Sequence, residues 1–128
     1  MKDPKKVKMG RASKNKGKVG EREVANLLKS YGFEAKRGVQ FGRGESDNPD
    51  VKHNIPNTHI EVKRTEGLSL YKAMDQAEDD AGSTQKPIVF HRRNNREWLV
   101  IMKAEDYLKL EGGTKEAPPV IDYSTLEF

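Results

Sequence analysis

Residues 58–64 read THIEVKR, and ten residues separate Glu61 in this stretch from Asp50 in the Pro-Asp pair at 49–50. Side chains alternate across a β-strand, so Glu61 and Lys63 share one face and the β-branched residues between them share the other. The pattern predicts a strand with its apolar face in the core. Its outer, charged face is then a candidate functional site.

The chemistry of these residue types indicates phosphodiester cleavage. Two carboxylates, Asp50 and Glu61, can hold a hard cation such as Mg²⁺, which prefers oxygen ligands. Lys63 beside them could deprotonate or orient a water molecule, or neutralise charge on a phosphate. The alternative is an ordinary solvated strand face, because residues 34–36 repeat the Glu-x-Lys pattern without a Pro-Asp pair upstream.

Bulk composition limits the class of protein. The chain has 128 residues, 34% of them hydrophobic, and a mean hydropathy of −0.92, which predicts one domain with a thin core. With no cysteine, disulfides and thiolate metal sites are excluded. We find no stretch of membrane-helix length and no signal-peptide pattern. A cytoplasmic protein is expected, in a bacterial host cell if a phage encodes it.

Charge is distributed unevenly along the chain. Residues 1–18 carry seven lysines and Arg11 against Asp3, a net charge of +7, within a total of +4. This distribution predicts a basic, flexible arm over residues 1–16 that contacts phosphates, although a merely solubilising terminus would look the same. A nuclease domain over 17–110 and a linker and tail over 111–128 complete the predicted organisation.

Periodicity and turn residues predict an α/β domain with a central mixed sheet flanked by helices. A first helix begins near Gly17 and ends at Gly32, with Tyr31 on its buried stripe. A loop after Asp50 could close a hairpin onto the strand at 58–64. The predicted strands are 33–37, 50–53, 58–64, 87–91 and 97–102, the later helices are 69–81 and 103–110, and 38–48 is a glycine-rich loop.

Several motifs in order resemble those of a known superfamily. They are KGKVGERE at 16–23 opening the first helix, Tyr31-Gly32-Phe33, Arg37, the Pro-Asp pair at 49–50, and Glu61-Val62-Lys63. The chain resembles the PD-(D/E)xK nucleases, and within them the archaeal-type Holliday junction resolvases and their phage-encoded relatives. The resemblance covers about residues 16–102. It implies a restriction-endonuclease-like core and a role in DNA recombination and repair.

The resemblance also implies roles for individual residues. Asp50, Glu61 and the main-chain carbonyl of Val62 would be ligands of Mg²⁺, with Mn²⁺ as an alternative, and Glu21 would complete the acidic cluster. Lys63 would act on the attacking water or the phosphate charge, and Arg37 would face DNA near the scissile phosphate. In one departure, the loop after Arg37 lacks the small hydroxyl residue that is usual in these resolvases.

Further contacts with DNA are predicted from basic side chains. The candidates are Lys16, Lys18, Arg43 and the turn residues Arg92, Arg93 and Arg96. Gln76, in the helix after the Glu-Val-Lys strand, either reaches the active site or lies on the surface. Because a four-way junction has two-fold symmetry, a homodimer is expected as well.

Four functions remain open from the sequence. The leading hypothesis is a metal-dependent, structure-selective endonuclease that resolves four-way DNA junctions. A general or nicking DNA nuclease would keep the chemistry and change the substrate, whereas a DNA-binding module would have lost catalysis. An RNA-binding protein is suggested only by the lysine-rich arm. Glu45 or Asp47 would replace Asp50 as metal ligand if Asp50 were misassigned.

Overall fold

The computed structural model describes residues 4–38 and 50–114, with side chains from residue 16 onward. Its elements in chain order are α1 (Pro4–Ser30), β1 (Ala35–Arg37), β2 (Val51–His53), β3 (Thr58–Arg64), α2 (Leu70–Asp80), β4 (Lys86–Arg92), β5 (Leu99–Met102) and α3 (Ala104–Leu110). The order is the predicted one. Most of the glycine-rich loop and of the C-terminal tail, with Arg43, Glu45 and Asp47, lies outside the described residues.

The first helix is longer than the sequence indicated. Helix α1 starts at Pro4 rather than near Gly17, so most of the segment predicted to be a flexible arm is helical. Lysine, arginine, methionine and alanine are good helix formers, and an isolated glycine costs a helix only about 1 kcal/mol. The prediction gave too much weight to charge and too little to propensity. That residues 1–16 contact phosphates remains a prediction.

The mixed sheet at the centre of the fold is confirmed. Strand β3 pairs with β4 in parallel, and β4 pairs with β5 antiparallel. Strands β1 and β2 form a separate antiparallel pair. The predicted hairpin between β2 and β3 is therefore wrong. The edge of β3 is occupied instead by a side chain, because the carboxylate of Asp50 accepts the backbone N–H of Val62 at 2.8 Å.

Helices cover both faces of this sheet. On one face, Val24, Ala25 and Leu28 of α1 pack with Ile60 and neighbouring side chains of β3 and β4. On the other face, buried alanines and Met74 of α2 pack on Val89. Parallel sheets are normally covered on both sides in this way. The charged face of β3 consequently lies beneath α2 rather than in open solvent.

The end of α1 corrects one predicted core position. Tyr31 is 78% exposed although its spacing placed it on the buried stripe of α1. The helix ends at Ser30, and Gly32 then adopts a φ of 89°, which turns the chain. Tyr31 thus lies beyond the last helical residue, where the helical period no longer sets its direction.

Gly20 allows α1 to lie close to β3. A Cβ at this position would be 2.6 Å from Cβ of Arg64 and 3.4 Å from Cγ1 of Val62. A Cβ at Gly17, one turn earlier, would have no neighbour within 4 Å among the residues that the structure describes. Of these two glycines, Gly20 is therefore the one that needs to lack a side chain.

We expect Gly20→Ala to destabilise the fold by about 1–3 kcal/mol, because the added methyl group forces the helix away from the strand. Gly17→Ala is the matched control and should be neutral or stabilising by up to about 1 kcal/mol, since alanine favours the helix. Urea unfolding of both variants measures the difference. Equal midpoints would contradict this account of the helix–strand contact.

Among the residues that the structure describes, no helix has the length and apolar character needed to cross a membrane.

Candidate active site

The Asp50 side chain connects the two-stranded β1–β2 sheet to the edge strand β3 of the central sheet by a hydrogen bond. It directly precedes β2, and its Oδ2 accepts the backbone N–H of Val62 at 2.8 Å. In an extended strand the N–H and C=O of one residue point to the same side. The Val62 carbonyl therefore lies on the Asp50 edge of β3, which is the position that the predicted main-chain ligand requires.

Glu61 is a buried carboxylate with acidic neighbours. Its side chain is 5% exposed, and its Oε1 lies 3.1 Å from Nε2 of His59. Burial raises the pKa of Glu61 from 4.5 to about 7, the hydrogen bond with His59 opposes this shift, and the Asp50 and Asp80 carboxyls add to it. Burial and the neighbouring carboxyls therefore disfavour the charged form of Glu61 unless a cation lies beside it.

Glu21 reaches the same region from α1. Its Oε2 accepts a hydrogen bond from Nε of Arg37 at 2.7 Å, and both side chains are partly buried. Burial raises the pKa of Glu21, the hydrogen bond from Arg37 lowers it, and the charge of Asp50 raises it again. Glu21 and Asp50 are therefore electrostatic neighbours, as an acidic cluster requires. Arg37 binds a residue of the cluster, and its contact with DNA remains a prediction.

Lys63 is held by a residue of α2. Its Nζ donates a hydrogen bond to Oε1 of Gln76 at 2.8 Å. Gln76 is thus placed beside the predicted catalytic lysine, rather than on an unrelated surface. The neutral amide orients the ammonium group without neutralising it, so the positive charge of Lys63 remains available to a substrate.

These residues fit a divalent cation. A buried carboxylate such as Glu61, whose pKa is raised by burial and by neighbouring carboxyls, is costly in its charged form without a compensating charge, and hard cations prefer carboxylate and carbonyl oxygens as ligands. Asp50, Glu61 and the Val62 carbonyl would hold such an ion, with Glu21 nearby. Among the described residues, His59, Glu61 and Asp80 also form a group whose ligand atoms all lie within 4.8 Å of one another.

His59 and Asp80 have a larger part in this site than the sequence analysis gave them. Neither residue was among the predicted site residues. Two signals point to them in retrospect. His59 precedes Glu61 by two residues and so shares its strand face, and Asp80 follows Gln76 by four and so shares its helix face.

The basic candidates for DNA binding are dispersed. Lys18, Arg93 and Arg96 are exposed, whereas Lys16 lies 3.5 Å from Glu66. Arg92 is the last residue of β4 and not part of the turn, and its Nη1 donates to Oε2 of Glu23 at 2.6 Å. This pair fixes Arg92 in the fold, and its contact with DNA remains a prediction.

The raised pKa of Glu61 predicts a pH-dependent stability without metal. A carboxyl group that binds its proton more tightly when folded stabilises the fold at low pH, and this contribution is lost as pH rises from about 4.5 to about 7. In EDTA, we expect Glu61→Gln to gain stability relative to the native chain between pH 5 and pH 8. Asp75→Asn, at an exposed position of α2, is the control. A pH-independent difference in urea midpoints would contradict the assignment.

Comparison with known proteins identifies the family of this chain and a solved structure with a similar fold. Residues 12–126 match the family of phage putative PDDEXK endonucleases, so the chain belongs to that family and is a nuclease of the PD-(D/E)xK fold. A similar solved structure is that of Hjc from Archaeoglobus fulgidus, a Holliday junction resolvase from an archaeal hyperthermophile. It is 23% identical, with a TM-score of 0.51, and the match covers 66% of this chain and 74% of that one. No curated protein sequence matches the chain.

The shared fold confirms the predicted restriction-endonuclease-like architecture.

Proposed function

We propose that this protein is a divalent-metal-dependent DNA endonuclease that resolves four-way junctions, with Asp50, Glu61 and Lys63 as its central residues. One observation carries the proposal. The Asp50 carboxylate accepts a hydrogen bond from the backbone of the Glu61 strand, and its negative charge adds to the burial that raises the pKa of Glu61. Acidic residues from two separate parts of the chain thus lie at one position in a chain of an endonuclease family.

Each residue has a distinct task in this proposal. Asp50, Glu61 and the Val62 carbonyl hold Mg²⁺, or Mn²⁺ in its place. The bound ion supplies positive charge to the phosphate and the leaving oxygen. Lys63, oriented by Gln76, neutralises phosphate charge as an ammonium group or, after losing a proton to solvent, accepts one from the attacking water as a neutral amine. Glu21, held by Arg37, adds a carboxylate that binds the ion or a water beside it.

The junction is proposed as substrate because of the resolvase with the same fold. Two symmetric cuts in a two-fold symmetric junction require two active sites, so the working form is a homodimer. A general or nicking nuclease of the same fold remains the second candidate, and the low sequence identity to the resolvase favours testing both substrates together.

Cleavage of a labelled four-way junction beside a linear duplex of one arm tests the substrate. With Mg²⁺, we expect paired symmetric nicks in the junction and at least about tenfold slower cutting of the duplex. Equal rates on both substrates would replace the resolvase with a general nuclease. Sedimentation of the protein with and without the junction tests the homodimer.

The turn between β4 and β5 is proposed to bind the DNA backbone. The backbone N–H of Arg96 donates to the carbonyl of Arg93, and Asn95 has a positive φ of 59°, so a tight turn presents both exposed arginines. We expect Arg93→Ala and Arg96→Ala each to lower the slope of log affinity against log salt concentration by about 1. Lys29→Ala, at the exposed end of α1, is the control. Unchanged slopes would remove the turn from the interface.

A further inference from the structure

Glu61 also belongs to a second group of possible metal ligands, which does not include Asp50. One ligand atom from each of His59, Glu61 and Asp80 lies within 4.8 Å of the others, and Nε2 of His59 is 3.1 Å from Oε1 of Glu61. Strand period places His59 and Glu61 on one face of β3, and the C-terminal turn of α2 brings Asp80 to that face. Two packed elements therefore fix the three residues.

This set differs from an acidic patch on a surface. The side chains of His59 and Glu61 are only 7% and 5% exposed, and one of the donors is an imidazole nitrogen. Asp80 ends α2, whose last turn contains no basic residue. A helix C-terminus carries partial negative charge, which disfavours a carboxylate. Placing this carboxylate beside a buried one is doubly unfavourable, and a bound cation would offset both costs.

We propose that His59, Glu61 and Asp80 form a second cation site, which shares Glu61 with the Asp50 site and takes Mn²⁺ in preference to Mg²⁺. Metal–ligand bonds of about 2.1 Å place adjacent ligand atoms of an octahedral ion about 3 Å apart and opposite ones about 4.2 Å apart. The His59–Glu61 distance of 3.1 Å fits adjacent ligands. The ligand atom of Asp80 lies within 4.8 Å of the other two, and because Asp80 is exposed, a side-chain rotation can bring it into a ligand position.

The donor set determines which ion is preferred. Imidazole binds first-row transition ions, whereas Mg²⁺ prefers oxygen ligands and retains several of its waters. A site with one nitrogen and two carboxylates therefore selects the transition ion. The inference rests on the proposed function only in that Glu61 also serves the Asp50 site. Sharing one carboxylate would allow the two ions to be held close together, as in two-metal hydrolases.

Direct metal binding tests the proposal on the full chain without DNA. Mn²⁺ is titrated at pH 7.5 while free ion is followed by electron paramagnetic resonance, and Mg²⁺ is titrated by calorimetry. We expect two Mn²⁺ but one Mg²⁺ per native chain. In Asp80→Asn and His59→Gln, one of the two Mn²⁺ should be lost or bound at least about tenfold more weakly. Asp79→Asn, the neighbouring exposed carboxylate, should bind like the native chain.

The variants separate the possible results. His59 is buried, so His59→Gln could misfold, but Asp80 is exposed and its variant keeps the test decisive. If Asp80→Asn and the native chain bind the same number of Mn²⁺ with the same affinity, the second site does not exist and the His59–Glu61 contact is structural. Cleavage with Mg²⁺ alongside that result would leave the proposed function intact. Two Mn²⁺ bound without any cleavage would overturn the proposed function and support this site.

Discussion

Lys63→Ala should lower the rate of DNA cleavage by about 10²–10⁴-fold while the protein remains folded. A positioned acid–base group contributes acceleration of this size. Lys63 is partly exposed and its Nζ has the exposed Gln76 as partner, so removing it leaves no buried group without a hydrogen bond. Single-turnover cleavage with Mg²⁺ measures the loss, and circular dichroism checks the fold.

Asp50→Asn should abolish cleavage for a different reason. The amide oxygen of asparagine can still accept a hydrogen bond from the N–H of Val62, so the contact between residue 50 and strand β3 is kept. The negative charge that attracts the metal ion is removed. We therefore expect weaker Mg²⁺ binding for Asp50→Asn and nearly native Mg²⁺ binding for Lys63→Ala.

Two controls make these results specific. Lys29→Ala removes an exposed lysine of α1, and Asp75→Asn neutralises an exposed carboxylate of α2. Both should cleave at the native rate. Native turnover in Lys63→Ala or Asp50→Asn would exclude the substituted residue from the mechanism.

Glu23→Ala should destabilise the fold by about 2–3 kcal/mol. Oε2 of Glu23 accepts Nη1 of Arg92 at 2.6 Å and Nε1 of Trp98 at 3.0 Å, and it lies 4.0 Å from Nε of Arg64. The Arg64 side chain is only 10% exposed. Without the carboxylate, the two arginines would lose the ion-pair partner that they share. Breaking a fully buried pair costs about 3–5 kcal/mol, and partial exposure of Glu23 reduces this.

Glu23→Gln separates charge from hydrogen bonding. The amide keeps one acceptor oxygen for Arg92 or Trp98, so its cost should be about half that of Glu23→Ala. Glu34→Ala, at an exposed position before β1, should change stability by less than about 0.5 kcal/mol. Urea unfolding compares the three variants. If Glu23→Ala were no less stable than Glu34→Ala, the contacts of Glu23 with Arg64, Arg92 and Trp98 would have no structural role.

The elements were predictable wherever a local signal was strong. Strand β3 has the predicted bounds because β-branched and charged residues alternate along it and a turn containing Pro56 precedes it. Gln76 and Lys63 were placed on adjoining elements by the same periodicity. The family motifs then implied which carboxylates belong together, although they lie in separate elements.

Long-range contacts were not predictable in the same way. Nothing local indicates that the Asp50 side chain, rather than a β2 backbone, occupies the edge of β3. The burial of Glu61 depends on how α2 crosses the sheet, and the partners of Glu23 lie about seventy residues away. Such contacts depend on how distant elements pack, and no short stretch of sequence encodes that packing.

We propose that the acidic cluster around Asp50 and Glu61 hydrolyses DNA with a divalent metal ion. The most direct test is incubation of the native protein with an end-labelled four-way junction in Mg²⁺ and, in parallel, in EDTA. We expect cut strands in Mg²⁺ and none in EDTA. A gel shift of the junction without any cleavage in Mg²⁺ or Mn²⁺ would contradict it and would indicate a DNA-binding module.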